Sequence, residues 1–188
     1  MKPDGTGLYF IAVMPPGDIA EKATEFKNYF AEKFNSRHAL KSPPHITLHM
    51  PFKWKQEKES TLTEVLSSFS AIQKPFVIWL NGFGSFPRRV IYIDVESNEP
   101  LNRLYRDLAA ETKRKLNLFN SAYKNEGYTA HMTLAHRDLK PQAFDLAWPE
   151  FKKKEFRGAF TVDKLALLKH NGKSWDIFEE YPFSQNAE

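Results

Sequence analysis

The sequence predicts a mixed helix-and-strand fold built from two similar lobes. Two observations carry that prediction. The tetrad His-x-Thr-Leu occurs twice, at His45-Ile46-Thr47-Leu48 and at His131-Met132-Thr133-Leu134. The order strand, helix, tetrad strand, helix, strand also occurs twice, over roughly 8–80 and roughly 90–168, as hydrophobic periodicity reads it. A pseudo-twofold axis relating the halves would bring the tetrads to equivalent places on opposite walls of one cleft. The 188 residues are expected to form a single domain, 1–188, long enough to bury a core without staples.

The elements follow in order. Leu8–Met14 is an apolar run between Gly7 and Pro15-Pro16, the pattern of a buried strand. Asp18 can cap the next helix, where Ile19, Ala23, Phe26, Phe30 and Phe34 recur at steps of three and four. Residues 35–44 are a loop, and Pro44 biases Pro43 towards extended geometry, delivering the first tetrad as a strand. Pro51-Phe52-Lys53-Trp54 is expected to be a loop. Thr61 with Glu64 makes a capping-box pattern for a helix carrying Leu62, Val65, Leu66, Phe69 and Ile72, which Pro75 ends. Phe76–Leu80 is a strand and Asn81-Gly82 a turn. Val90–Val95 is the next strand. Asn98 and Pro100 open a long helix to about Leu118, with Leu101, Leu104 and Leu108 on one face. A polar loop over 120–128 precedes the second tetrad strand, His131–Arg137. Pro141–Trp148 is a short helix, Phe160–Lys169 a strand, Asn171-Gly172 a hairpin turn and Trp175–Tyr181 the last strand.

Composition excludes several classes. With no cysteine there is no disulfide scaffold, thiolate nucleophile or cysteine-ligated zinc. No stretch approaches the ~20 apolar residues of a membrane span, and the first residues lack a signal-peptide pattern. The expectation is a cytoplasmic protein with no membrane contact and no obligate protein partner. A net charge of +4 suits an anionic ligand. Sixteen Phe point first to a Phe-rich core. No Gly-rich nucleotide loop, Walker pattern or His-Glu-x-x-His is present.

The tetrads carry the chemistry. On a strand, His and Thr two positions apart share a face, roughly 6–7 Å from each other. Two such pairs would set two imidazoles and two hydroxyls around one anion. Histidine titrates near neutrality and serves as general acid or base, and hydroxyls can hold charge on phosphoryl oxygens. His45-x-x-x-His49 would be a ligand pair on a helix, but on a strand the two lie about 13 Å apart, too far for one metal ion. No metal or cofactor is expected. Strand parity places His49 and Arg137 on the catalytic face, absent a bulge. With Lys53 they are candidate phosphate or ligand contacts. Phe52, Trp54 and Tyr128 flank the tetrads and could stack a base. His38 and His170 are assigned to loop or surface.

This layout resembles the two-histidine (2H) phosphoesterase superfamily, in particular its bacterial 2'-5' RNA ligase, or RNA 2',3'-cyclic phosphodiesterase, branch. The two tetrads carry the resemblance, supported by the opening strand Tyr9-Phe10-Ile11-Ala12-Val13 and the spacing between tetrads. It implies an α+β fold, bilobal and pseudo-twofold, with antiparallel sheets lining a central cleft and helices outside. It implies metal-independent opening of 2',3'-cyclic phosphates of RNA ends or small nucleotides, with reverse 2'-5' ligation as a further capacity. By resemblance His45 and His131 are the catalytic pair, His45 donating a proton and His131 accepting one. Thr47 and Thr133 are the phosphate-holding hydroxyls. One departure stands out: relatives often follow the second tetrad with Ala-Arg, where this chain has Ala135-His136-Arg137. The competing expectation is a non-catalytic RNA- or nucleotide-binding module that keeps the cleft.

Overall fold

Tyr9, Ile11 and Val13 on one face of the first strand, and Phe10 and Ala12 on the other, are all buried, so this strand is covered on both sides. It lies inside one half of an antiparallel sheet that the whole chain builds. The computed structural model describes residues 5–120 and 127–184; positions 121–126 of the expected polar loop lie outside the described residues. The strands are β1 (Thr6–Val13), β2 (Ile46–Lys55), β3 (Phe76–Phe86), β4 (Val90–Val95), β5 (His131–Ala135), β6 (Arg157–Val162), β7 (Lys164–His170) and β8 (Trp175–Pro182). The helices are α1 (Gly17–Phe34), α2 (Glu59–Ser70), α3 (Glu99–Leu116) and α4 (Pro141–Phe151).

The fold is α+β, and its two lobes are halves of one curled eight-stranded sheet ordered β6-β3-β4-β5-β2-β1-β7-β8. The tetrad strands β5 and β2 meet at the centre through the pair Ile46 and Met132. Reading outward, β2-β1-β7-β8 mirrors β5-β4-β3-β6. The crossovers match too: α1 follows β1 and packs against β5, while α3 follows β4 and packs against β2. The halves exchange strands. β3 pairs with β4, and β7, late in the chain, pairs with β1.

The structure corrects several local expectations. Pro51–Trp54 is not a loop: β2 runs on to Lys55, with Phe52 opposite Tyr9 and Trp54 opposite Gly7. Pro51 falls in the irregular stretch between the Tyr9 and Ile11 pairings, where a proline is tolerated in a ladder. Asn81-Gly82 is not a chain reversal. It is a bulge in β3, where Gly82 takes φ 70° and its N–H donates to Phe156 O at 2.7 Å. No capping box forms at Thr61, because α2 starts at Glu59 behind a short 3-10 turn. Asp18 lies in the first turn of α1 rather than capping it. The expected strand 160–169 is two strands, β6 and β7, separated at Asp163 as the chain crosses between lobes. Asn98 does cap α3, its side-chain oxygen accepting from Leu101 N at 3.0 Å.

Candidate active site

The pair Ile46–Met132 fixes what surrounds it. Both side chains are fully buried, so their neighbours one step along each strand face the other side of the sheet. Antiparallel geometry sets His45 across from Thr133 and Thr47 across from His131. All four line one cleft of about 490 Å³. The tetrads thus form a square on the pseudo-twofold axis, each imidazole beside the hydroxyl of the other lobe.

The two histidines are held alike. His45 Nδ1 donates to Pro43 O at 2.7 Å, and His131 Nδ1 donates to Thr129 O at 2.7 Å. Each bond to the carbonyl two residues earlier leaves Nε2 for the cleft and fixes the neutral tautomer. Aromatic rings brace both: Phe10 lies 4.7 Å from His45, and Phe86 and Tyr92 lie 5.1 and 5.0 Å from His131.

Their electrostatics differ. Burial pushes His45 down to about 3, and the nearby Lys27, His131 and His136 push the same way. Lys27 is a lysine in the apolar stripe of α1, 2% exposed, its ammonium donating to Ser42 O at 2.9 Å. Burial lowers that ammonium to about 8. Burial also lowers His131, but Asp94 opposes the shift. Asp94 is the β4 residue paired with His131. The pseudo-twofold equivalent is Met14, which follows the pair Val13–Ile46 and joins the apolar cluster of Phe10, Ala12, Ala166 and Leu168. One histidine therefore has a carboxylate for a neighbour and the other a thioether.

Bulges decide which other residues reach the cleft. The β1–β2 register slips between Ile11–His49 and Ala12–Thr47, and the β4–β5 register slips between Ile91–Ala135 and Tyr92–Thr133. In both lobes the extra residue is the tetrad leucine, Leu48 or Leu134, and beyond it the face reverses. His49 is the first correction. It is buried at 1% exposure against Phe52, its Nδ1 bonded to Met50 O and its Nε2 without a partner. The reversal brings Met50 and His136 to the cleft instead. Arg137 also lines the cleft, from beyond the end of β5, with a left-handed φ of 56°. Lys53 is exposed outside the cleft, and Phe52 belongs to the core. Trp54 packs on the core and donates its ring N–H to Lys58 O at 2.7 Å. Tyr128 stacks on Tyr105 at 4.0 Å and donates to Thr47 O at 3.1 Å, supporting β2 from outside the cleft. His38 is not merely surface, for it lines the cleft and its ring lies 5.0 Å from that of His136. His170 stays at the β7–β8 turn, accepting from Gly172 N at 3.1 Å.

Sequence reasoning missed His136, Lys27 and the wall aromatics Phe10, Trp175 and Phe86. Lys27 had a signal: it sits four residues after Ala23 and four before Ala31 in the buried stripe. Among the described residues no group of three or more His, Asp or Glu is arranged to hold a metal ion. His45, just before β2, lines the cleft while His49 within β2 is buried in the core, so the two form no pair. No helix among the described residues is long and apolar enough to cross a membrane.

Comparison with known proteins agrees with this architecture. The family model described as the 2'-5' RNA ligase superfamily matches residues 15–174. A Geobacillus kaustophilus protein, named as a candidate phosphoesterase, is 31% identical over 92% of this chain and 94% of its own. A similarly named Bacillus cytotoxicus protein is 24% identical over 94% of this chain and 97% of its own. Among solved structures, Escherichia coli LigT complexed with 3'-AMP superposes with a TM-score of 0.68 at 17% identity, covering 96% of this chain and 99% of LigT. A Thermus thermophilus protein gives a TM-score of 0.65 at 19% identity, over 95% and 100% of the two chains.

Proposed function

The chain belongs to the 2'-5' RNA ligase superfamily, and on that premise we propose that it is a phosphodiesterase opening 2',3'-cyclic phosphates of RNA ends or small nucleotides, without a metal ion. The observation that carries this reading is the square of His45, Thr47, His131 and Thr133 about one cleft, each imidazole fixed through Nδ1. The nucleotide held by LigT, 3'-AMP, has the chemistry of a product of such a ring opening.

In-line displacement places the attacking and leaving oxygens on opposite sides of phosphorus, and the two imidazoles stand on opposite walls. A water adds to phosphorus as one histidine takes its proton. The bond from phosphorus to a ribose oxygen breaks as the other histidine protonates that oxygen, leaving a monophosphate. Thr47 and Thr133 donate to the non-bridging oxygens. Asp94 favours the protonated form of His131, while Lys27 disfavours protonation of His45. We therefore assign His131 as the acid and His45 as the base in the hydrolytic direction. This reverses the roles that resemblance alone implies, and the ligation direction would exchange them again.

The test is incubation with nucleoside 2',3'-cyclic phosphates and cyclic-phosphate-ended RNA in chelator. Turnover is expected to persist, and His45→Ala and His131→Ala are each expected to lower kcat by about 10³-fold or more while circular dichroism stays native. Undiminished turnover in either variant overturns the reading. Salt-dependent binding with no turnover in the unsubstituted protein identifies a binding module instead.

A further inference from the structure

The pseudo-twofold makes the two ends of the cleft comparable, and they do not match. At one end, past the bulge in β2, lie Met50 and Pro51, with Gly127 and Thr129 opposite. None of these carries a charge. At the equivalent other end, past the bulge in β5, lie His136 and Arg137, with His38 and Lys41 of a short 3-10 turn opposite. The scissile group is already served by the central His-Thr square, which leaves this basic end unexplained.

The basic end is braced. Asp138 fastens its two sides together: its carboxylate accepts from Ser36 Oγ at 2.8 Å and from the backbone N–H groups of Arg37 and His38 at 2.7 and 2.8 Å. Three bonds occupy that carboxylate in holding the 3-10 turn against the segment after β5. The His38 and His136 rings are thereby kept 5.0 Å apart. Lys41 and Arg137 set two positive charges beside these imidazoles, a field that favours an anion. Burial, with Arg137 and Lys41, lowers His38; burial, with His38, Arg137 and Lys27, lowers His136 to about 4, and Asp138 opposes both shifts only in part.

We infer that the end of the cleft formed by His38, Lys41, His136 and Arg137 is a second phosphate subsite, so that the substrate carries another phosphate besides the one undergoing reaction. The inference rests on the proposed phosphodiesterase reading for which phosphate reacts, but not for whether the second site exists. The other end, where the named lining residues carry no charge, is left for nucleoside or for solvent. Arginine and histidine donors suit either a terminal phosphate monoester or the next diester of an oligonucleotide.

The experiment is calorimetric titration of 3'-AMP, adenosine 3',5'-bisphosphate and a dinucleotide with a 3'-phosphate, at pH 6.0 and 8.0. At least one doubly phosphorylated ligand is expected to bind roughly tenfold or more tighter than 3'-AMP, as charge-assisted contacts would give. The preference should be larger at pH 6.0, where an anion can draw protons onto His38 and His136. The charged and titratable groups around them are Lys41, Arg137, Asp138, Lys27 and His45, with Arg89 also lining the cleft. Arg137→Gln and, separately, Lys41→Gln should each cut the preference several-fold while changing 3'-AMP affinity much less. A gain confined to the bisphosphate assigns a monoester; a gain confined to the dinucleotide assigns an RNA chain. Equal affinity for all three ligands, or a preference untouched by both substitutions, overturns the subsite. Because the readout is binding, a protein that turns over no cyclic phosphate yet keeps the preference loses the proposed activity and retains this site.

Discussion

His45 and His131 have equivalent backbones, equivalent Nδ1 bonds and different neighbours, Met14 on one side and Asp94 on the other. If Asp94 acts by holding the proton on His131, its loss must show in the pH dependence. Asp94→Asn removes the negative charge and keeps the shape, so His131 should give up its proton at lower pH. For a general acid this moves the alkaline limb of the kcat profile downward, by about one pH unit for a neighbouring charge. On the proposed assignment the acid limb is that of His45 and should stay in place. A profile that merely drops in height would make Asp94 structural. The same scale shows what sequence can and cannot give. Identity and spacing revealed the two tetrads, because parity alone puts His and Thr on one face. Parity failed just past the threonines, where bulges at Leu48 and Leu134 sent His49 into the core and His136 into the cleft. A bulge is set by pairing between distant strands, and nothing local in His-x-Thr-Leu announces it.

Between strands, the hairpin of β3 and β4 supports His131 through a glycine. Gly84 pairs with Tyr92, and a Cβ at Gly84 would lie 2.3 Å from the Tyr92 ring. That ring in turn lies 5.0 Å from His131. Gly84→Ala must therefore displace the tyrosine, and overpacking of this kind costs about 1–3 kcal/mol. Urea denaturation should show the loss. Activity at a temperature where the variant is fully folded should fall as well, because the displaced ring takes a wall from the imidazole. Unchanged stability would mean that Tyr92 has room to turn aside. Helices and apolar strands were legible because each satisfies its period within a short window: α1 and α3 follow from Phe30 or Leu104 and their neighbours at three and four. The extension of β2 through Pro51 was not, since its partner residues in β1 lie some forty positions away. The split between β6 and β7 at Asp163 was hidden for a related reason. Both are apolar strands, and only their choice of partner, β3 or β1, separates them.

Across the molecule, the groups that make the site also make folding sensitive to acid. His45 and His136 are neutral in the folded protein well below neutrality, at about 3 and about 4, because burial penalises their charged forms. In the unfolded chain both return to about 6.5. Between those values the unfolded chain binds more protons than the folded one, so stability present above about 6.5 is lost as pH falls, and the loss levels off once the folded imidazoles protonate. Glu150, held down to about 2 after its bonds from Tyr29, Lys33 and Lys154 outweigh burial, extends the same trend below the ordinary carboxylate range. Stability measured by urea titration should therefore drop steadily from pH 7 to 4.5, by about 5 kcal/mol at most for the two histidines together. His136→Asn, at the half-buried cleft position, should flatten that slope, because it removes one of the groups whose protonation drives unfolding. An anion bound in the cleft should flatten it too, since binding to the folded state alone adds stability and a phosphate offsets the cost of protons on the imidazoles. If inorganic phosphate raises the midpoint no more at pH 5 than at pH 7.5, the acid sensitivity arises elsewhere and the histidines of the cleft are not its source.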